Sequence, residues 1–130
     1  MKYVLDTCVL SDYVRRVGRV AEKMHAQPPH DLALTVITEH EMLYGLALRP
    51  VPKLAQQVRR LLSTLAVLPF DRAAAATSAD LRADLARAGK PIGDFDALIA
   101  GVALAHKLTL VTSNTKEFER VRGLELTNWR

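Results

Sequence analysis

The sequence predicts an α/β fold with a mostly parallel central sheet between helical layers. Three observations carry that expectation. Short apolar, β-rich runs recur at Lys2 to Leu5, Leu32 to Val36, Val67 to Phe70 and Leu108 to Val111. Helical segments, not tight hairpin turns, separate them, which is how parallel strands are joined. Finally, every residue from Ala97 to Ala105 is apolar or glycine, and a helix apolar on all sides lies inside a protein.

At 130 residues the chain can bury a core of its own, and one domain over 1–130 is expected. Hydrophobic residues make up 49% of it and aromatics only 5%, so Leu, Val, Ile and Ala must fill that core. Eighteen basic against 14 acidic residues leave a net charge of +4, compatible with a polyanionic partner but weak as a pointer to one. A single Cys excludes an internal disulfide and a cysteine-based zinc site, and suits a reducing cytoplasm. No signal-peptide pattern and no apolar run of bilayer-spanning length occur, so a cytoplasmic protein without membrane association is expected.

Taken in order, the first strand runs straight into Asp6 and Thr7. A helix follows over Val9 to Arg16, with Val9, Leu10, Tyr13 and Val14 on its apolar face and Asp12 expected on a solvated one. Asp6 suits either the cap of that helix or a functional carboxylate. A second helix, Arg19 to Ala26, stops before Pro28 and Pro29. After the second strand, Thr38 begins a helix reaching about Leu48, and Thr38 with Glu41 fits a capping box. Lys53 to Leu65 is amphipathic, its stripe of Leu54, Val58, Leu61, Leu62 and Leu65 suited to core or to a partner. Asp71 is a good cap for Arg72 to Ala88, and Gly89 and Lys90 stop that helix. Pro91 and Gly93 mark a loop, after which Asp94 and Asp96 stand where carboxylates favour a helix start. The strand Leu108 to Val111 delivers Thr112, Ser113 and Asn114. A helical turn at Lys116 to Arg120 and a small edge strand at Leu124 to Leu126 complete the chain.

Each of these acids has an ordinary structural explanation, but together they converge. Asp6 follows the first strand, Glu41 lies in the helix after the second, Asp96 opens the buried helix, and Asn114 follows the fourth strand. In open α/β sheets ligands bind beyond the carboxyl ends of the strands. Carboxylates and an amide oxygen without His or Cys are the ligands of a hard cation, Mg²⁺ or Mn²⁺, and the four His show no paired spacing for zinc. Such a site suits metal-assisted phosphodiester hydrolysis, with surrounding Arg and Lys offsetting repulsion of a polyanion. The number of ions, one or two, is not set by the residues. A phosphoacceptor signalling domain also gathers acids at strand ends, but it needs a Lys at the end of a late strand, where Thr127 and Asn128 stand here.

Over nearly its whole length the chain resembles the PIN-domain ribonucleases, most closely the VapC toxins of bacterial toxin–antitoxin pairs. The resemblance is carried by YVLDT with Asp6, ITEHEMLYG with Glu41, PIGDFDALIAG with Asp96 and LVTSNTKEF with Asn114, and by the ending RVRGLELTNW. It implies a three-layer α/β/α PIN-like fold and a Mg²⁺-dependent endoribonuclease cutting RNA such as tRNA, initiator tRNA among the targets. It also implies a VapB-type antitoxin partner and a homodimer, with the Pro52 to Leu65 helix as a candidate contact surface. In the family the acids matching Asp6, Glu41 and Asp96 hold the metal. Asn114 would position water or ligand, Glu117 would supply a further acid, and Thr112 and Asp94 are accessory candidates, Asp94 leaning to a helix cap. Cys8 departs from the Asn that relatives often carry, which would alter a hydrogen bond beside Asp6 or simply pack. A PIN fold that only binds RNA or protein is the alternative reading, and retention of the three acids argues against it.

Overall fold

The computed structural model describes residues 1–130. Five strands, β1 (Tyr3–Leu5), β2 (Leu32–Thr35), β3 (Ala66–Leu68), β4 (Thr109–Val111) and β5 (Leu126–Thr127), form one sheet in the order β3-β2-β1-β4-β5. Every neighbouring pair is parallel, with Val4 opposite both Ala33 and Leu110. Helices α1 (Thr7–Arg15), α2 (Val20–His25), α3 (Val36–Leu48), α4 (Pro52–Thr64), α5 (Arg72–Arg87), α6 (Asp94–Ala105) and α7 (Thr115–Phe118) supply the connections.

The alternation of side chains along a strand builds the layers. Val4 and Leu110 point into a core shared with Ala74, Leu81, Ile99, Val102 and Phe118, on the side of α5 and α6. Their neighbours Leu5 and Val111 point the opposite way, into a core with Val9, Leu10, Leu34, Leu61 and Trp129 on the side of α1, α2 and α4. That is the α/β/α arrangement. Helix α6 is buried along Ala97 and Ile99 to Ala103, as its composition requires. It meets α5 where Gly101 removes a side chain: a Cβ there would lie 2.6 Å from the Cβ of Ser78. The Ser78 hydroxyl, itself buried, donates to the Ala97 carbonyl at 3.1 Å.

Several expectations are corrected. The third helix begins at Val36, and its cap is Thr35, whose Oγ1 accepts from the Thr38 N–H at 3.1 Å. Thr38 lies inside the helix and Glu41 is beyond its first turn, so there is no capping box. Placing Val36 in the helix turns Ile37 into the core, and that burial outweighs the capping preference of Thr38. The α4 residues Val58 and Leu61 are buried, so the centre of that stripe is core, one of the two roles expected for it. Asp12 is also buried, and its Oδ2 faces Arg130 Nε at 3.4 Å, because the C-terminal segment folds back over α1. At the start of α6, Gly93 holds the cap position and no side chain caps the helix, so neither Asp94 nor Asp96 is a cap. Asp71 caps α5 as expected, accepting from the Ala74 N–H at 2.9 Å. No helix is long and apolar enough to cross a membrane.

Candidate active site

The chain runs from β1 outward to β2 and β3 on one side and to β4 and β5 on the other. Between β1 and β4 the order reverses, and the crevice beyond such a reversal is where parallel sheets bind ligands. Asp6 leaves β1 at this point and Thr112 leaves β4 beside it.

Asp6 is buried and tightly held. Its Oδ1 accepts from the Thr7 N–H at 2.8 Å. Its Oδ2 accepts from the buried Thr112 hydroxyl at 2.8 Å and from the Cys8 thiol at 3.5 Å. Burial pushes the Asp6 carboxyl above the usual carboxylate range, while the bonds from Thr112, Thr7 and Cys8 pull it back and the charge of Glu117 adds to the rise. Cys8 therefore bonds the acid instead of merely packing, and it also accepts from the Ser113 hydroxyl at 3.3 Å.

Glu41 reaches the same crevice from the second turn of α3 and accepts from Thr7 Oγ1 at 2.7 Å. Asp96 projects from the first turn of α6 and is half-buried. Its carboxyl is pushed up to about 7, by burial first and then by the charges of Asp6, Glu117 and Glu41. Four acids from separate elements thus feel one another. Glu117 is held by the Gly93 N–H at 2.8 Å, which lowers its carboxyl most, and by Asn114 Nδ2 at 2.6 Å. Asp96 and Glu117 also act on each other, the contact raising the Asp96 carboxyl and lowering that of Glu117. Asn114 serves the cluster through Glu117, and its N–H also donates to Thr112 Oγ1 at 3.0 Å. Asp94 is turned away: it is exposed and paired with Arg82 of α5 at 2.8 Å.

No cationic side chain forms an ion pair with Asp6, Glu41 or Asp96. Like charges left unpaired in a crevice suit a hard cation, and the donors are all oxygen. No three of them converge closely enough in this structure to hold an ion between them. An open set of oxygen donors suits a hard divalent cation that keeps several waters of its own.

Residues 3–124 match the PIN domain family. This chain is a PIN-domain protein of the VapC group. It is 34% identical over 130 residues to the tRNA(fMet)-specific endonuclease VapC of Shigella flexneri, covering 99% of this chain and 98% of that relative. The enzyme of the same name from Salmonella typhimurium is 35% identical, with 99% and 98% covered. Among solved structures, this PIN domain is similar to that of the DNA-bound VapBC from Salmonella typhimurium, with a TM-score of 0.91, 32% identity and 100% and 99% of the two chains covered. VapBC2 of Rickettsia felis, bound to a DNA fragment from its promoter, gives 0.90 at 28% identity with both chains fully covered.

Thr7 was not among the residues the sequence singled out and Thr38 was expected as a cap, yet Thr7 touches Asp6 and Glu41 of this PIN-domain crevice and Thr38 lies buried behind it. Thr7 Oγ1 also lies 3.1 Å from the buried Thr38 Oγ1. A hydroxyl directly after the strand-end acid was the one available pointer to it.

Proposed function

We propose that this protein is a Mg²⁺-dependent endoribonuclease that hydrolyses RNA phosphodiester bonds and acts as the toxin of a pair silenced by a VapB-type antitoxin. The observation that carries this reading is the group Asp6, Glu41 and Asp96, mutually repelling and without a cationic partner, at the reversal point of the sheet. In this reading those three acids hold the cation, and Mn²⁺ can replace Mg²⁺. Held by Asp6, Glu41 and Asp96, such a cation would supply water activation near neutral pH and would offset charge developing on the phosphate.

The chain's own groups do the rest. Thr112 and the Thr7 N–H keep Asp6 oriented. Asn114 and the Gly93 N–H keep Glu117 ionised beside Asp96, where it serves as the further acid. Asp94, engaged with Arg82, stays outside the machinery. The substrate class we favour is tRNA, with initiator tRNA first, because the relatives from Shigella flexneri and Salmonella typhimurium are named for it. Neutralisation by an antitoxin belongs to the same reading, since similar structures include toxin–antitoxin complexes, and homodimer formation is part of the same proposal.

Incubation of the protein with total bacterial RNA, with Mg²⁺ or with EDTA, tests it. New RNA ends should appear only with the cation and be abolished by Asp6→Asn, which keeps shape while removing charge. Cleavage by a folded Asp6→Asn protein, or undiminished cleavage in EDTA, would refute the assignment.

A further inference from the structure

Asp6 and Glu41 come from different elements, the end of β1 and the second turn of α3, and one residue touches both. The Thr7 N–H donates to Asp6 Oδ1 at 2.8 Å, and the Thr7 hydroxyl donates to Glu41 Oε1 at 2.7 Å. The second bond is the only hydrogen bond that the Glu41 carboxylate receives, whereas Asp6 has Thr112 and Cys8 as well. A hydroxyl has one proton and an ionised carboxylate can only accept, so the short contact to Glu41 takes it.

Thr7 is itself held. Its Oγ1 lies 3.1 Å from Thr38 Oγ1, and Thr38 Oγ1 lies 3.5 Å from Thr35 Oγ1, the cap of α3. Thr35 and Thr38 are fully buried. A β-branched side chain has few χ1 wells to begin with, and here the buried hydroxyls favour the one that faces Glu41. Glu41, by contrast, is a long side chain on a partly exposed helix, close enough to Asp96 for the two charges to oppose each other, and the Thr7 hydroxyl is the one group that ties it down.

We infer that Thr7 is a positioning residue that sets the separation of the Asp6 and Glu41 carboxylates and so presents Glu41 to a divalent cation. The inference rests on the reading above that both acids are cation ligands. Partners of this kind, which hold a ligand without touching the ion, typically contribute about 10–100-fold to metal affinity.

The test is direct Mn²⁺ binding to the full chain, by calorimetry or by the electron paramagnetic resonance of free Mn²⁺. Parent, Thr7→Val, Thr7→Ser and Glu41→Gln are compared, with melting in EDTA as the control for folding. Thr7→Val keeps the shape and the N–H but removes the hydroxyl, and should weaken Mn²⁺ binding by about 10–100-fold. Thr7→Ser restores the hydroxyl and should return most of the affinity, which a packing role would not predict. If Thr7→Val does not fold, Thr7→Ala, which only removes atoms, takes its place. Parent-like Mn²⁺ affinity in the folded variant, with Glu41→Gln weakened, overturns the role of Thr7 and leaves the site intact. Parent-like affinity in Glu41→Gln overturns the ligand assignment, and the inference with it.

Discussion

Asp96 shows at the scale of one residue how a cation site is built against stability. Burial and the neighbouring charges of Asp6, Glu117 and Glu41 hold its carboxyl at about 7, from an ordinary 3.8. Between those values the folded chain binds more protons than the unfolded one. The contribution of Asp96 to the stability of the cation-free protein is therefore greatest in acid and falls as pH rises from about 4 to about 7. Because Asp96 is half-exposed, solvent screening limits its share to roughly 1–2 kcal/mol. Asp96→Asn removes that share, so in EDTA at pH 7.5 the variant should be as stable as the parent or more so, by ~1 kcal/mol. The fall in stability between pH 4 and pH 7 should shrink but not vanish, because Asp6 is raised in the same direction. Mg²⁺ should raise the parent's melting temperature by mass action and leave the variant's nearly unmoved. Urea unfolding against pH and thermal melts with and without Mg²⁺ measure all of this. A variant clearly less stable than the parent in EDTA would make Asp96 a structural residue.

Helices α5 and α6 set the position of Asp96 at the scale of elements. They approach closely only because Gly101 has no side chain; a Cβ there would stand 2.6 Å from the Ser78 Cβ and 3.0 Å from the Ser78 Cα. Neither atom can rotate away, since both are tied to the α5 backbone. Gly101→Ala gains about 1 kcal/mol of helix propensity but must push the helices apart, and overpacking of this kind costs about 1–3 kcal/mol. The expected outcome is a lower denaturation midpoint together with weaker Mn²⁺ binding, as the first turn of α6 shifts. An unchanged midpoint would mean that separating the helices costs no more than the helix propensity gained. Ser78→Ala does not relieve the contact, because Ala keeps the Cβ, so the pair should not rescue.

Growth is the readout at the scale of the whole molecule. Induced expression in bacteria should arrest it, Asp6→Asn should not, and co-expression of a small protein encoded next to this gene should restore it. Arrest by a folded Asp6→Asn protein would remove that acid from the mechanism. The parallel sheet that brings these acids together was legible, because alternating strands and helices with one all-apolar helix leave few architectures; the order of its strands was not. Asp6, Glu41 and Asp96 were legible as candidates too, Asp6 directly after a predicted strand, Glu41 in the helix that follows one, and Asp96 at the start of the all-apolar helix. Boundaries were less so. Thr35 and Thr38 both look like caps, and the choice between them turned on burying Ile37, which lies across the fold from its sequence neighbours. Asp12 read as a solvated residue because nothing local announces that the C-terminal segment, with Arg130, covers it.

Hydrophobic period, strand and helix order, and the identity of the strand-end acids are properties of short stretches, and the sequence by itself determined them. Only the tertiary structure decided which hydroxyl holds which carboxylate. Thr7 and Glu41 are 34 positions apart, Thr112 and Asp6 are 106 apart, and Gly93 and Glu117 are 24 apart. The structure alone also turned Asp94 to Arg82 while leaving Asp96, two residues on, in the crevice. The reason is geometric. Successive residues on a helix point about 100° apart, so moving a helix start by one residue redirects every side chain behind it. Packing against the rest of the molecule sets that start.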